Sequence, residues 1–362
     1  MEPRLKYITK IKKVLFIVAF CIIAGAYFSL IEYGYNLDST PDEIDGYNFI
    51  FSIVAQCLAG LIGGTVFGYI EVFYFRDYFR RKSFGMSILY ESGVFFLLFL
   101  VISFLVSLAY TFIYVNKNLI RPESIEYIKN YFTSVGFLMN FLNWMFVLVI
   151  ILFALQISDK FGEGVFKKFL LGLYHKPKEE VRIFMFLDIK GSTGIAEKLG
   201  HTKYFEFLKD FYNDATGPII NNKGEIYQYV GDEITVSWQL TKGLDGSRCI
   251  DCFFDIKEQL YKKRFYYEGN YNIIPEFKAG IHFGLVTVGE VGIVKKEIIY
   301  SGDLLNTTAR IMEECKNYNS DLIISQDLAD SLEIRNKFNF AKIGEIELRG
   351  KQNKVSLLGV TV

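Results

Sequence analysis

Phe184-Met185-Phe186-Leu187-Asp188-Ile189-Lys190-Gly191-Ser192-Thr193 is an apolar run that delivers one carboxylate at its end, followed by a small polar turn that opens a helix. Further along, Gly224-Glu225-Ile226-Tyr227-Gln228-Tyr229-Val230-Gly231-Asp232-Glu233-Ile234-Thr235-Val236 sets two β-prone runs around a tight Gly-Asp turn. A second carboxylate therefore sits at a hairpin tip. If the first strand lies beside this hairpin, Asp188 and Asp232 converge at one edge of the sheet. Two hard carboxylates beside the backbone amides of a helix start suit a divalent metal and a polyphosphate. Taken singly, each half is also ordinary turn chemistry.

Outward from this stretch, Gly280-Ile281-His282-Phe283-Gly284 leads to Gly289-Glu290-Val291-Gly292. Ser301-Gly302-Asp303-Leu304-Leu305-Asn306-Thr307-Thr308-Ala309-Arg310 follows. This ordered set resembles the catalytic domain of the class III nucleotidyl cyclases, the adenylate and guanylate cyclase family, from about Lys178 to the C-terminus. Gly231-Asp232-Glu233 also echoes the diguanylate cyclase signature. That signature's preceding glycine and following phenylalanine are absent here, and the Asn306–Arg310 block does not belong to it.

The alternation after Arg182 reads as strand (182–188), helix (193–215), hairpin (225–238), helix (248–263), hairpin (276–299), helix (303–315) and terminal strands. Such a pattern is an α+β domain with a mostly antiparallel sheet, in agreement with the ferredoxin-like fold that the resemblance implies. The resemblance further implies attack of a nucleotide 3′-hydroxyl on its own α-phosphate, with two Mg²⁺ or Mn²⁺ ions held by Asp188, Asp232 and the Ile189 carbonyl. Gly191, Ser192 and Thr193 would present amides to the phosphates. Asn306 would orient the ribose and Arg310 would stabilise charge on the transferring phosphate. Arg349 and Lys351 resemble the family's phosphate-contacting basic position, and a solvated turn explains them equally well. In that family the groups matching Asn306 and Arg310 face the metal pair of a second domain across a head-to-tail dimer, so by resemblance a chain with one such domain implies a homodimer with two composite sites.

Two positions depart from the family. Gln228 stands where adenine-selective members place lysine and guanine-selective ones glutamate; Ile299 stands where a polar partner is usual. A glutamine amide can donate and accept, whereas Ile299 can do neither. ATP is favoured by the family's habit, guanine or another base remains open, and a catalytically silent receptor or scaffold is the alternative from another class.

The remainder of the chain is membrane-like. Its 362 residues are 51% hydrophobic and 17% aromatic, with net charge zero and mean hydropathy +0.23. Nothing in this balance points to nucleic acid. Apolar runs at Val14–Leu30, Phe49–Phe75, Met86–Val115 and Val135–Ile157 each suit a spanning helix of roughly 20 residues. These runs predict a membrane domain over 1–157, an amphipathic connector over 158–180 and a catalytic domain over 181–362. Asp38, Asp42, Glu43 and Asp45 mark an outer loop, whereas Arg76, Arg80, Arg81 and Lys82, and Lys160 to Lys178, mark the cytoplasmic side. A multi-pass inner-membrane protein with both termini and the catalytic domain inside follows. Ala24-Gly25-Ala26 also resembles a signal cleavage site. Both outer loops are too short for a folded external sensor.

Gly60, Gly64 and Gly68 form a small-residue stripe, open to packing within the bundle or to a dimer contact. Glu71 and Glu91 each need a partner near the membrane edge, the Arg76–Lys82 loop being the simplest, with a ligand or ion site as the alternative. The connector's Phe161, Val165, Phe166, Phe169 and Leu170 recur at helical spacing before Pro177, suiting a pairing helix or the lipid surface. Cys249 and Cys252 share one face of a predicted helix, so burial explains their spacing better than metal or redox chemistry.

Overall fold

The computed structural model describes residues 2–37, 48–75, 78, 84–115, 118–161, 172–294, 296–332, 337–347 and 354–362. Pro3–Lys160 form one compact unit and the residues from Phe161 onward another. The connector over Phe161–Leu170 lies outside the described residues beyond Phe161, as do Arg349 and Lys351 and the charged residues of the first two connections.

Four helices in the first unit are long and apolar enough to cross a membrane. They are α1 (Glu2–Leu37), α2 (Phe49–Ile70), α3 (Phe84–Tyr110) and, after a shorter helix α4 (Pro122–Thr133), α5 (Val135–Phe161). Wide helical turns extend α2 over Glu71–Phe75 and α3 over Thr111–Val115. Leu15, Ile23, Ile50 and Leu97 are among many large apolar side chains left exposed, as suits helices solvated by lipid. Ile17, Phe67, Leu148 and Ile151 fill the interior.

The glycine stripe is used inside the bundle. A Cβ on Gly60 would fall 2.6 Å from the Cys21 carbonyl oxygen, one on Gly64 3.1 Å from the Val18 Cα, and one on Gly68 against Ile17. All three neighbours lie on α1, so the stripe lets α1 and α2 meet backbone to backbone. Gly25, within the stretch that resembles a cleavage site, makes the reciprocal approach to Gln56. Glu71 and Glu91 are both buried.

The connection between the third and fourth spans is itself partly helical. Pro122 and Glu123 occupy the first turn of α4, where a missing N–H is harmless and a negative charge favourable. Ser134 then accepts from the Phe137 amide (3.1 Å) at the start of α5, closing the corner.

The second unit begins with β1 (Lys178–Ile189), followed by α6 (Ser192–Leu199) and α7 (His201–Asn221). The single helix expected here is broken at Gly200. Next come β2 (Glu225–Val230), β3 (Glu233–Gln239), α8 (Arg248–Lys262), α9 (Arg264–Tyr271), β4 (Phe277–Val291), β5 (Glu297–Ser301), α10 (Asp303–Asn317), β6 (Leu322–Ser325), β7 (Asn339–Glu347) and β8 (Lys354–Thr361). The sheet runs β2-β3-β1-β4-β6-β8-β7, with β5 on β4. Only the β4–β6 pair is parallel among these.

Alternation along β1 divides the work of its two faces. Ile183, Met185, Leu187 and Ile189 face the main core, with Phe207, Phe211, Cys249, Cys252 and Phe253 from α7 and α8. Phe184 and Phe186 face the other way and pack with Leu304 and Met312 of α10. That helix sits tightly on β4: a Cβ on Gly280 would lie 2.4 Å from the Met312 nitrogen, so only glycine admits it. Both cysteines of the C-x-x-C are fully buried, and burial pushes the Cys249 thiol up to about 12, which suits packing rather than chemistry.

Candidate active site

Antiparallel pairing of β1 with β3 places Asp188 opposite Glu233, and pairing with β4 places it opposite Lys278. Asp232 immediately precedes β3 at the hairpin tip, where Gly231 takes a left-handed conformation, φ +63°. The carboxyls of Asp188 and Asp232 are thereby brought into hydrogen-bonding contact. Lys278 approaches from the other side, its Nζ 3.3 Å from Asp188 Oδ2. Burial, and then the adjoining Asp232, push the Asp188 carboxyl above its usual range, while Lys278 pulls it down. Burial also raises Glu233, against the 3.1 Å hydrogen bond that Thr235 donates to it.

This pair fits a hard divalent cation. Two half-buried carboxyls held in contact repel once ionised, and a cation between them removes that repulsion. Among the described residues no group of three or more carboxylates, imidazoles or thiols converges. An ion here would complete its shell with backbone, water or ligand oxygens, as Mg²⁺ commonly does. Ile189 is the next residue along β1, at the strand's end, with a buried side chain.

Gly191 caps α6 without a side-chain hydrogen bond, so Ser192 and Thr193 contribute first-turn amides that a helix leaves without internal acceptors. The turn before it is fastened down. Lys190 N donates to Glu276 O (2.9 Å), and the Lys190 ammonium pairs with Asp321, which Lys257 also contacts at 2.6 Å. Burial opposes ionisation of Asp321, but the two ammonium groups hold its carboxyl below the usual range.

Several neighbours escaped the sequence reading. Tyr212 donates to the Gly231 carbonyl and braces the hairpin tip, and its ring lies 4.5 Å from that of Tyr229. Tyr204 is hydrogen-bonded to Ser192; burial and then Asp232 raise its hydroxyl. Lys278 carried no local signal at all, because only the β1–β4 register brings it to Asp188.

Asn306 is exposed and Arg310 half-buried on α10, the helix that covers the sheet face bearing Asp188. Its buried stripe runs through Leu304, Thr308, Ile311 and Met312. Gln228 is exposed on β2, opposite Thr235 and just past a bulge at Tyr227. Ile299 is half-buried on β5, opposite Gly289. The chain neighbours of these two residues touch: Tyr300 N donates to Tyr227 Oη at 3.3 Å, and the rings meet edge to face at 5.0 Å.

Beneath that contact lies Arg182, fully buried in the middle of the sheet. Its guanidinium bonds Glu180 (3.0 Å), Glu225 (2.7 Å) and Ser237 (3.0 Å). It also lies 5.0 Å from the Tyr300 ring centre. A lone arginine in an apolar-looking strand gave no warning of this network.

Residues 173–358 match the sequence model of the adenylate and guanylate cyclase catalytic domain. Adenylate cyclase 2 of Rhizobium meliloti is 34% identical over 211 residues, covering 58% of this chain and 58% of that protein. An adenylate cyclase of Anabaena cylindrica is 25% identical over 232 residues, covering 57% of this chain and 45% of its own length. The chain thus spans about half the length of these curated relatives. A solved bacterial light-regulated adenylyl cyclase superposes with a TM-score of 0.53 at 18% identity, covering 63% of this chain and 66% of that one; its likeness is one of fold.

Proposed function

The chain belongs to the adenylate and guanylate cyclase catalytic-domain family, and on that premise we propose that it converts a nucleoside triphosphate, ATP by preference, to the 3′,5′-cyclic monophosphate and pyrophosphate. The observation that carries this reading is the meeting of Asp188 and Asp232 at the strand-hairpin edge. These carboxylates, with the Ile189 carbonyl, would hold two Mg²⁺ or Mn²⁺ ions. When bound, such ions stabilise charge on the attacking and leaving oxygens.

The protein's own groups do the positioning. The amides of the cap residue Gly191 and of first-turn Ser192 and Thr193 hold the polyphosphate. Lys278 favours the ionised form of Asp188, against burial and the adjoining Asp232. Asn306 orients the ribose and Arg310 stabilises charge on the transferring phosphate, a preorganised electrostatic role. In a head-to-tail homodimer these two act across from the partner's carboxylates, giving two composite sites. Arg349 and Lys351 are assigned to phosphate on sequence grounds alone. Gln228 and Ile299 flank the Tyr227–Tyr300 contact and read the base, and the adenylate cyclase names of the relatives favour ATP. The charge pattern of the connections supports an inner-membrane protein with its catalytic domain in the cytoplasm.

Assay of the full-length protein with ATP, GTP, CTP and UTP, each with Mg²⁺ or Mn²⁺, tests this. Cyclic AMP is expected as the main product, and its loss on Asp188→Asn. Absence of a cyclic product from every nucleotide would overturn the activity.

A further inference from the structure

The sheet coils so far that two of its distant strands meet beside the residues assigned to the base. At one end the strands run β2-β3-β1-β4-β5. With a strand spacing of about 4.8 Å, β2 and β5 would stand about 19 Å apart in a flat sheet. Yet Tyr227 of β2 receives the Tyr300 N–H of β5 at its hydroxyl oxygen, 3.3 Å away. Twist brings the two together across the face that carries Arg182 and Phe184.

Tyr300 is held along its whole length. Its ring meets Phe184 edge to face at 5.3 Å and lies 5.0 Å from the Arg182 guanidinium. Its hydroxyl is hydrogen-bonded to Ser237 on β3, which also accepts from Arg182 at 3.0 Å. The Tyr227 ring packs on Tyr300 at 5.0 Å and on Phe184 at 6.3 Å. The fully buried Arg182, bonded in addition to Glu180 and Glu225, anchors the stack. The Tyr227 hydroxyl is thereby fixed in one place.

That place is the peptide joining Ile299 to Tyr300. Along the chain, Tyr227 is also the residue before Gln228. Ile299 has no polar side-chain atom, although a polar partner for the base is usual at its position. Tyr227 Oη accepts one hydrogen bond and keeps its own proton, for which no acceptor is found among the described residues. A phenol both donates and accepts. An immobilised donor therefore stands between the two positions assigned to the base.

We propose that Tyr227 determines base specificity, its hydroxyl donating to a ring nitrogen of adenine in place of the polar side chain that Ile299 lacks, an assignment that rests on the proposed cyclase activity. Adenine presents an acceptor, a donor and an acceptor at N1, the 6-amino group and N7. The Gln228 amide takes the amino group and one nitrogen, a bidentate pairing that glutamine makes with adenine. Tyr227 takes the other nitrogen. A site built of such groups discriminates because a base that fails to match leaves them unpaired.

Analogues of ATP test this one atom at a time. In 1-deaza-ATP and 7-deaza-ATP a C–H replaces one ring nitrogen. Pyrophosphate release by the full-length protein would give kcat/KM for ATP and for each analogue. Wild type should lose about tenfold with either analogue, the scale of one hydrogen bond. Tyr227→Phe should lose about tenfold with ATP and become indifferent to one analogue while still responding to the other. Gln228→Leu should show the converse, keeping its response to the analogue that Tyr227→Phe ignores. Should Tyr227→Phe fail to fold, Gln228→Leu decides alone, by keeping its response to one analogue. Any other pattern in a protein whose wild type cyclises ATP overturns the role of Tyr227 and leaves the activity standing. A wild type that cyclises only other nucleotides also overturns it, and one that cyclises none overturns the cyclase reading as well.

Discussion

The sheet domain and the membrane bundle place their polar groups differently. Arg182 lies at the centre of the sheet domain, its guanidinium matched by Glu180, Glu225 and Ser237. In the bundle, exposed Glu32 and half-buried Tyr127, Tyr131 and Asn143 line a cavity, Glu32 accepting from Ser52 and Tyr131 bonded to Asn140 and Ser103. Association differs as well. The sheet domain packs large side chains such as Trp238, Phe184 and Phe253 at full burial, whereas α1 and α2 meet through Gly25, Gly60 and Gly64. The solvent explains the contrast. Water drives apolar side chains together; lipid does not, so spans associate by close backbone approach.

That contrast can be broken most forcefully at the carboxylate pair. Asp188→Ala or Asp232→Ala should reduce turnover by about a thousandfold, the scale of losing a preorganised electrostatic group, with melting little changed. Near-normal rate at saturating Mn²⁺ would remove the pair from the chemistry. Mixing sharpens the same point. Asp232→Ala and Arg310→Ala chains, each inactive alone, should recover roughly a quarter of wild-type activity on random pairing if two copies share each site. Verified heterodimers without recovery would end the composite-site reading.

Next in size is Arg182→Leu. Removing one member of a buried ionic cluster leaves Glu180 and Glu225 uncompensated and typically costs about 3–5 kcal/mol. Thermal unfolding of the sheet domain should fall accordingly, and a change confined to the bundle transition would contradict the assignment. In the bundle, Gly60→Leu forces α1 and α2 apart and should cost about 1–3 kcal/mol, as overpacking does. Bundle melting in nanodiscs reports it, while the proposed homodimer should be unaffected because the stripe is already occupied by α1. Loss of dimers with unchanged melting would restore the stripe as a contact between copies.

The smallest effect concerns Asp321. Its folded pKa is held low by Lys190 and Lys257. It therefore contributes stability above the ordinary carboxylate pKa, lost as pH falls through that value toward the folded one. Asp321 is 37% exposed, so screening limits the contribution to about 1 kcal/mol or less. Asp321→Asn should flatten the acid limb of the stability curve slightly, and an unchanged limb would show that the Lys190 turn is held by its backbone alone.

The sequence by itself determined what rests on local pattern. Length and apolarity specify the spans, and β-prone runs around Gly231-Asp232 specify the hairpin. Residue order down the chain was enough to name the family. The helix at Pro122–Thr133 was legible in principle, since proline and glutamate open it and Ile125, Ile128 and Phe132 recur at helical spacing, but short length hid it. Tertiary structure alone decided the rest. Lys278 reaches Asp188 only through the β1–β4 register, Tyr212 reaches Gly231 only because α7 packs on the hairpin, and Arg182 finds Glu225 only across β3. Whether the glycine stripe faced a helix of its own chain or of a second was equally undecidable, because both contacts ask the same of the sequence. Spacing along a chain records what one element presents; what meets it depends on elements far away in sequence, and only folding selects among them.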